Sequence, residues 1–131
     1  MKTITATIGI DTYITVIASD HHTLFIDEPI SDGGGNKGMT PEEILGASLG
    51  SCTCITLRMY ANRKGWRLKS IETTVTIDRN KEAKNTTMTR SIKLDGELEP
   101  EQTERLLQMA NKCPIHEILT NPITVNTVLV D

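Results

Sequence analysis

Aromatic residues are nearly absent from this chain, which has one Trp, two Tyr and one Phe among 131 residues. A core must therefore be built from Ile, Leu, Val, Met and Ala. Any pocket in it will be aliphatic, better suited to an alkyl group than to a stacked base. No run of basic residues is long enough to follow a phosphate backbone, and the formal net charge is −3, so no nucleic-acid partner is expected. No stretch of about 18 apolar residues occurs, so no membrane span is expected. The opening Met1-Lys2-Thr3-Ile4-Thr5 lacks the apolar centre of a signal peptide, which makes a cytoplasmic location the expectation. Cysteine is also sparse. Three cysteines in a reducing cytosol point to free, catalytic or metal-bound thiols rather than a disulfide framework.

What is present is ordinary in bulk and informative in pattern. Hydrophobic residues make up 37% and charged residues 24%, and the length fits one domain. Ile4, Ala6, Ile8 and Ile10 alternate with polar neighbours, the period of a half-buried strand. Tyr13 to Ala18 and His22 to Asp27 predict two further strands. The glycine-rich stretch from Ser31 to Gly38 predicts a loop. It could cradle an anion, but no P-loop Lys-Ser/Thr follows it. Thr40-Pro41-Glu42-Glu43 is a capping box with proline at the first helical position. The helix it opens can run to about Lys64, where Gly65 supplies a stop, and would span roughly 35 Å. It is apolar or small nearly all round before Arg58, which predicts burial rather than amphipathicity. Leu68 to Arg79 and Met88 to Asp95 predict a strand pair. A helix from Pro100 to Lys112, a short helix from Pro114 and a closing strand from Ile123 to Val130 complete the chain. The order β-β-β-α-β-β-α-α-β is an α+β pattern.

The chemistry centres on the long helix. Leu45, Ser48, Leu49, Ile55, Thr56 and Met59 lie within about 60° of Cys52, whereas Cys54 is turned by about 200°. The two neighbouring cysteines therefore cannot share one site, and Cys54 reads as a small buried residue beside Ala47, Gly50, Leu57 and Ala61. Cys113 precedes Pro114 and so stands at a helix start, where unpaired N–H groups favour a thiolate. A thiol in an aliphatic setting with a second thiol at a helix start is what a two-cysteine peroxidase needs. The first is oxidised to a sulfenic acid and the second condenses with it. Inert burial of Cys52 is the bland alternative. Zinc held by Cys113, His116 and either Cys52 or His21/His22 is a third reading, although no second paired motif supports it.

Met39-Thr40-Pro41-Glu42-Glu43-Ile44-Leu45, Leu49-Gly50-Ser51-Cys52-Thr53 and Thr56-Leu57-Arg58-Met59-Tyr60-Ala61 together resemble the first cysteine motif of the OsmC/Ohr family. That family comprises the osmotically inducible and organic hydroperoxide resistance proteins. Lys112-Cys113-Pro114-Ile115-His116 resembles its second motif, and Gly65-Trp66 also fits. The resemblance implies that residues 1–131 form a single OsmC-like domain, in an intertwined homodimer with long central helices flanked by sheets. It implies thiol-dependent peroxidase activity on organic hydroperoxides, with Cys52 attacking, Cys113 resolving and Glu42 as the acidic site residue. The reductant would be a dithiol, such as a lipoylated protein, and no cofactor or metal is expected. The chain departs from the family's peroxidases in one respect. They use an N-terminal arginine beside the attacking cysteine, and no arginine precedes Arg58 here. This departure favours the alternative of a non-catalytic OsmC-like module that binds a small apolar molecule at the dimer interface.

Overall fold

The computed structural model describes residues 1–131. The architecture is mixed α+β, with three α-helices and two separate antiparallel sheets. Contacts divide the chain into two compact units, Met1–Leu45 and Gly46–Asp131.

The first unit is a three-stranded meander of β1 (Thr5–Ile8), β2 (Thr15–Ala18) and β3 (Thr23–Ile26), hydrogen-bonded in that order. The expected strands are present but shorter. The chain leaves the β region at Tyr13, whose φ is +66°, and turns between Ser19 and His22. The glycine-rich loop is ordered around Asp27, which is 1% exposed. Its carboxylate accepts hydrogen bonds from the N–H groups of Glu28 (2.8 Å), Gly35 (3.2 Å) and Lys37 (3.1 Å). Burial works against the charge, but these N–H donors and the Lys37 ammonium prevail and hold the carboxyl below its usual range. The loop therefore cradles an anion of its own chain. The capping box forms as expected: Thr40 N–H donates to Glu43 Oε1 at 3.0 Å, and Glu43 N–H to Thr40 Oγ1 at 3.2 Å.

Helix α1 runs unbroken over Pro41–Lys64 and stops at Gly65, whose φ is +71°. In the second unit it lies on a long hairpin, β4 (Arg67–Asn80) with β5 (Asn85–Glu97). Small residues at one helical spacing permit this approach. A Cβ added at Gly46 would stand 3.5 Å from Ile77 Cδ1, and one at Gly50 would stand 3.6 Å from Val75 Cγ2. Cys54 Sγ follows them, 3.3 Å from Thr73 Oγ1. The small face thus serves contact between helix and sheet. Arg58 locks the arrangement by donating to the carbonyls of Leu68 (2.6 Å) and Lys69 (3.1 Å).

Helix α2 (Pro100–Met109) buries Leu106, and a 3-10 turn over Ala110–Lys112 leads into helix α3 (Pro114–Leu119). The core joins Leu57, Tyr60 and Ala61 of α1 to Leu68, Leu106 and Ala110. Trp66 meets Tyr60 edge to face, with ring centroids 5.4 Å apart.

Two expectations need correction. β5 extends beyond Met88–Asp95 at both ends, because ladder hydrogen bonds come from the backbone and the polar Asn85, Thr86 and Thr87 continue them. The closing strand over Ile123–Val130 does not form. Residues 122–131 carry no regular structure, with Val125 82% and Leu129 98% exposed. β-branched alternation supplies propensity, but a strand also needs an edge to pair with, and the tail takes none in its own chain.

Candidate active site

The second unit brings Cys52 and Cys113 together. Cys52 sits mid-way along α1 and is half-buried. Cys113 lies between the 3-10 turn and α3 and is fully buried. Both are free thiols, close enough that each influences the ionisation of the other. The Cys113 sulfur also meets the N–H groups of His116 and Ile115 and the Thr53 hydroxyl, while Cys52 meets the Ile115 N–H and the Thr56 hydroxyl.

These contacts divide the charge unequally. Burial raises the pKa of Cys52, and its role as donor to Cys113 adds to that. The Ile115 N–H and Thr56 hydroxyl oppose the rise without cancelling it. Burial also pushes Cys113 up, but the Cys52 thiol, the two backbone N–H groups and Thr53 outweigh it and bring Cys113 below its ordinary value.

Arg90 is the residue that sequence reasoning missed. It lies on the inward row of β5 with Met88, Ile92 and Leu94, where it is the one charge among apolar neighbours. Its Nη1 donates to Thr53 Oγ1 and to the Ala110 carbonyl, each at 3.1 Å. Its Nη2 reaches Asn111 Oδ1 at 3.0 Å and His116 Nδ1 at 3.3 Å. Arginine has no acceptor, so Arg90 is the donor toward His116 Nδ1. The guanidinium thus ties α1, the 3-10 turn and α3 to the hairpin around Cys113. An arginine interrupting an apolar strand face was the available signal.

The remaining candidates fall elsewhere. Cys54 faces the hairpin and, with Ile55, Arg58, Met59 and Ile71, lines an open cavity of about 420 Å³. Glu42 stands in the first turn of α1 and, with Glu28, Asp32, Thr40 and Pro41, lines a separate cavity of about 440 Å³. The unbroken helix carries Cys52 ten residues further on, a rise of about 15 Å. His21 and His22 are exposed at the turn before β3. On the Cys52 side of α1, Leu49 turns inward to the core, while Ile55 and Met59 are 54% and 67% exposed.

With this geometry in view, the OsmC-like protein family model matches residues 34–128, which takes in α1, the hairpin and both cysteines. The chain belongs to the OsmC-like family. Solved structures of OsmC and organic hydroperoxide resistance proteins share its fold. The OsmC-like protein of Mycoplasma pneumoniae superposes with a TM-score of 0.79 at 21% identity, over 100% of this chain and 98% of that one. The organic hydroperoxide resistance protein OhrB of Bacillus subtilis gives 0.64 at 20% identity, covering 92% and 90%. An organic hydroperoxide resistance protein from Elizabethkingia anophelis gives 0.68 at 18% identity, covering 92% and 88%. No curated protein matches the sequence itself. No helix of this chain is long and apolar enough to cross a membrane.

Proposed function

We propose that this OsmC-like chain is a thiol-dependent peroxidase that reduces organic hydroperoxides with a dithiol reductant. The observation that carries this reading is the pair of neighbouring free thiols, Cys52 half-buried and Cys113 fully buried. The more accessible Cys52 sulfur attacks the distal peroxide oxygen. The O–O bond breaks, Cys52 becomes a sulfenic acid, and the organic fragment leaves as an alcohol. Cys113 then attacks the Cys52 sulfur, a disulfide forms and water departs. A dithiol, such as a lipoyl group, restores both thiols by exchange. The resting dithiol suits a reducing cytoplasm.

The reading includes a homodimer. Ile55 and Met59 are exposed apolar residues on the long helix, and Val125, Val128 and Leu129 are exposed on the tail. A second copy covering such surfaces would bury more than about 2,000 Å², as obligate interfaces do. It would close the wall beside Cys52 and bring a partner's acidic helix start, the counterpart of Glu42, within reach. Light scattering at micromolar concentration should return the dimer mass, and a monomer mass would overturn this part of the reading.

The alternative is a non-catalytic module that binds an apolar molecule. It is favoured by the absence of any arginine before Arg58 and by the engagement of both Arg90 Nη atoms within the chain. One assay separates the two. Reduced protein with dihydrolipoamide should consume cumene hydroperoxide, and should prefer it to hydrogen peroxide by at least about tenfold in kcat/KM, because only the organic substrate has apolar surface to bury. No consumption of either peroxide favours the binding module. Equal rates remove the argument for an apolar pocket.

A further inference from the structure

Three cations converge on one ring near the end of α1. Tyr60 belongs to the core and is 7% exposed. Around its ring stand the Arg63 guanidinium carbon, 5.4 Å from the centroid, Lys64 Nζ at 5.7 Å and the Arg105 guanidinium carbon at 5.7 Å. Arg63 and Lys64 come from the last turn of α1, and Arg105 comes from α2. Arg105 Nε also donates to Tyr60 Oη at 3.0 Å, and its Nη1 donates to Gln108 Oε1 at 3.2 Å. The negative ring face and the negative end of the α1 dipole explain where the cations sit. Neither neutralises them, because a ring and a dipole carry no net charge. Glu101 and Glu104 share α2 with Arg105, yet neither forms an ion pair with any of the three. The Tyr60 phenol registers the positive field. The hydrogen bond from Arg105 foremost, with the charges of Arg105, Lys64 and Arg63, holds it below its usual pKa against the effect of burial.

All three cationic side chains are exposed. Gathered around one ring, they lie within about one Debye length of one another, roughly 10 Å at 0.1 M salt. They therefore act as one uncompensated positive surface, on a chain whose net charge is −3. Its extent suits carboxylates displayed along one face of a peptide, about 5–6 Å apart at i, i+3 or i, i+4 of a helix. Two of the three cations are arginines, whose fork takes a carboxylate by two parallel hydrogen bonds. Carboxylates on one backbone reinforce each other's binding, whereas a single small anion on an exposed surface is readily displaced by salt. Three cations are too few to follow a nucleic-acid backbone. We propose that Arg63, Lys64 and Arg105, gathered around Tyr60, form a docking surface for an acidic segment of a partner protein that carries its carboxylates on one face. The proposal is independent of the peroxidase reading. Arg63 lies eleven residues beyond Cys52 on the unbroken helix, a rise of roughly 17 Å, so a partner seated there need not cover the thiol.

The test needs no peroxide. The full-length protein is titrated into a rhodamine-labelled, alanine-based helical peptide with glutamates at every fourth position, and anisotropy reports binding. A matched peptide with glutamine in place of glutamate is the control. The glutamate peptide should bind and the glutamine peptide should not, and binding should weaken as salt rises from about 20 to 200 mM. Arg63→Gln/Lys64→Gln, in the exposed last turn of α1, should weaken binding by about tenfold. Lys81→Gln/Lys84→Gln, which removes two exposed charges from the hairpin turn, should leave it within about twofold. If the α1 double variant does not fold, Arg105→Gln reads the same surface from α2 and should also weaken binding, while Arg105→Lys, which keeps the charge, should retain more of it. Failure of the glutamate peptide to bind at low salt overturns the proposal. So does an equal loss in the α1 and hairpin double variants, which would reduce the effect to overall charge. Displacement of the peptide by inorganic phosphate, but not by sodium chloride of the same ionic strength, would assign the surface to phosphate and overturn the acidic segment. A change of mass in light scattering on Arg63→Gln/Lys64→Gln would assign it to a second copy of this chain, with the same consequence.

Discussion

Replacing Cys52 with serine should lower kcat/KM for cumene hydroperoxide by at least about a thousandfold, since a serine hydroxyl in this setting has neither the ionisation nor the soft nucleophilicity of sulfur. Cys52 is the half-buried member of the pair, so it alone presents a reacting atom to a substrate. Cys113→Ser should behave differently. The Cys52 sulfenic acid then has no neighbour to condense with and should proceed to the sulfinic acid. Cys54→Ser should leave turnover within about twofold, because Cys54 faces Thr73 and Ile71 of the hairpin and a small polar replacement there costs little. Steady-state rates with dihydrolipoamide and intact-mass spectra after a peroxide pulse distinguish the three. Substantial turnover by Cys52→Ser would show that another group does the chemistry. A Cys54 cross-link as the main oxidised product would show that the pairing of Cys52 with Cys113 is wrong.

Gly96→Ala should destabilise the protein by about 3 kcal/mol, among the larger effects available from one methyl group. Gly96 pairs with Leu68 where the hairpin register shifts, with Lys69 the extra residue. Its φ is +152°, and an added Cβ would lie 2.2 Å from the Arg67 carbonyl oxygen and 2.9 Å from the Lys69 nitrogen. Both obstacles are backbone, so no side chain can swing aside. The carbonyls of Leu68 and Lys69 at this bulge also receive Arg58 from α1, so displacing the bulge loosens the clamp that holds the helix on the hairpin. Gly65→Ala is the control. Gly65 has φ +71° but nothing lies within 4 Å of its missing Cβ, so only the left-handed conformation is penalised, at about 1–2 kcal/mol. Urea midpoints at one fixed protein concentration measure both. Equal losses for the two variants would mean that the close approach at Gly96 relaxes freely.

The sequence by itself determined those features whose causes lie within a few residues of one another. The span of α1 was legible because Thr40, Pro41 and Glu43 cap its start and Gly65 ends it, and the capping bonds form as that pattern requires. The opposite placement of Cys52 and Cys54 follows from helical rotation, and the position of Cys113 before α3 follows from Pro114. Tertiary structure decided what depends on partners distant along the chain. Which surface the Gly46–Gly50–Cys54 stripe meets was settled by the β4 row of Thr73, Val75 and Ile77, not by the stripe. Ile123 to Val130 has the alternation of a strand yet forms none, because ladder bonds require an edge that periodicity does not supply. The cation of the site was invisible because Arg90 reaches it only through the hairpin register, which sets its side chain on the inward row and lets one guanidinium meet Thr53, Ala110, Asn111 and His116 together. The division of charge between the two thiols belongs to tertiary structure for the same reason. It depends on which groups surround each sulfur, and those groups come from both α1 and α3.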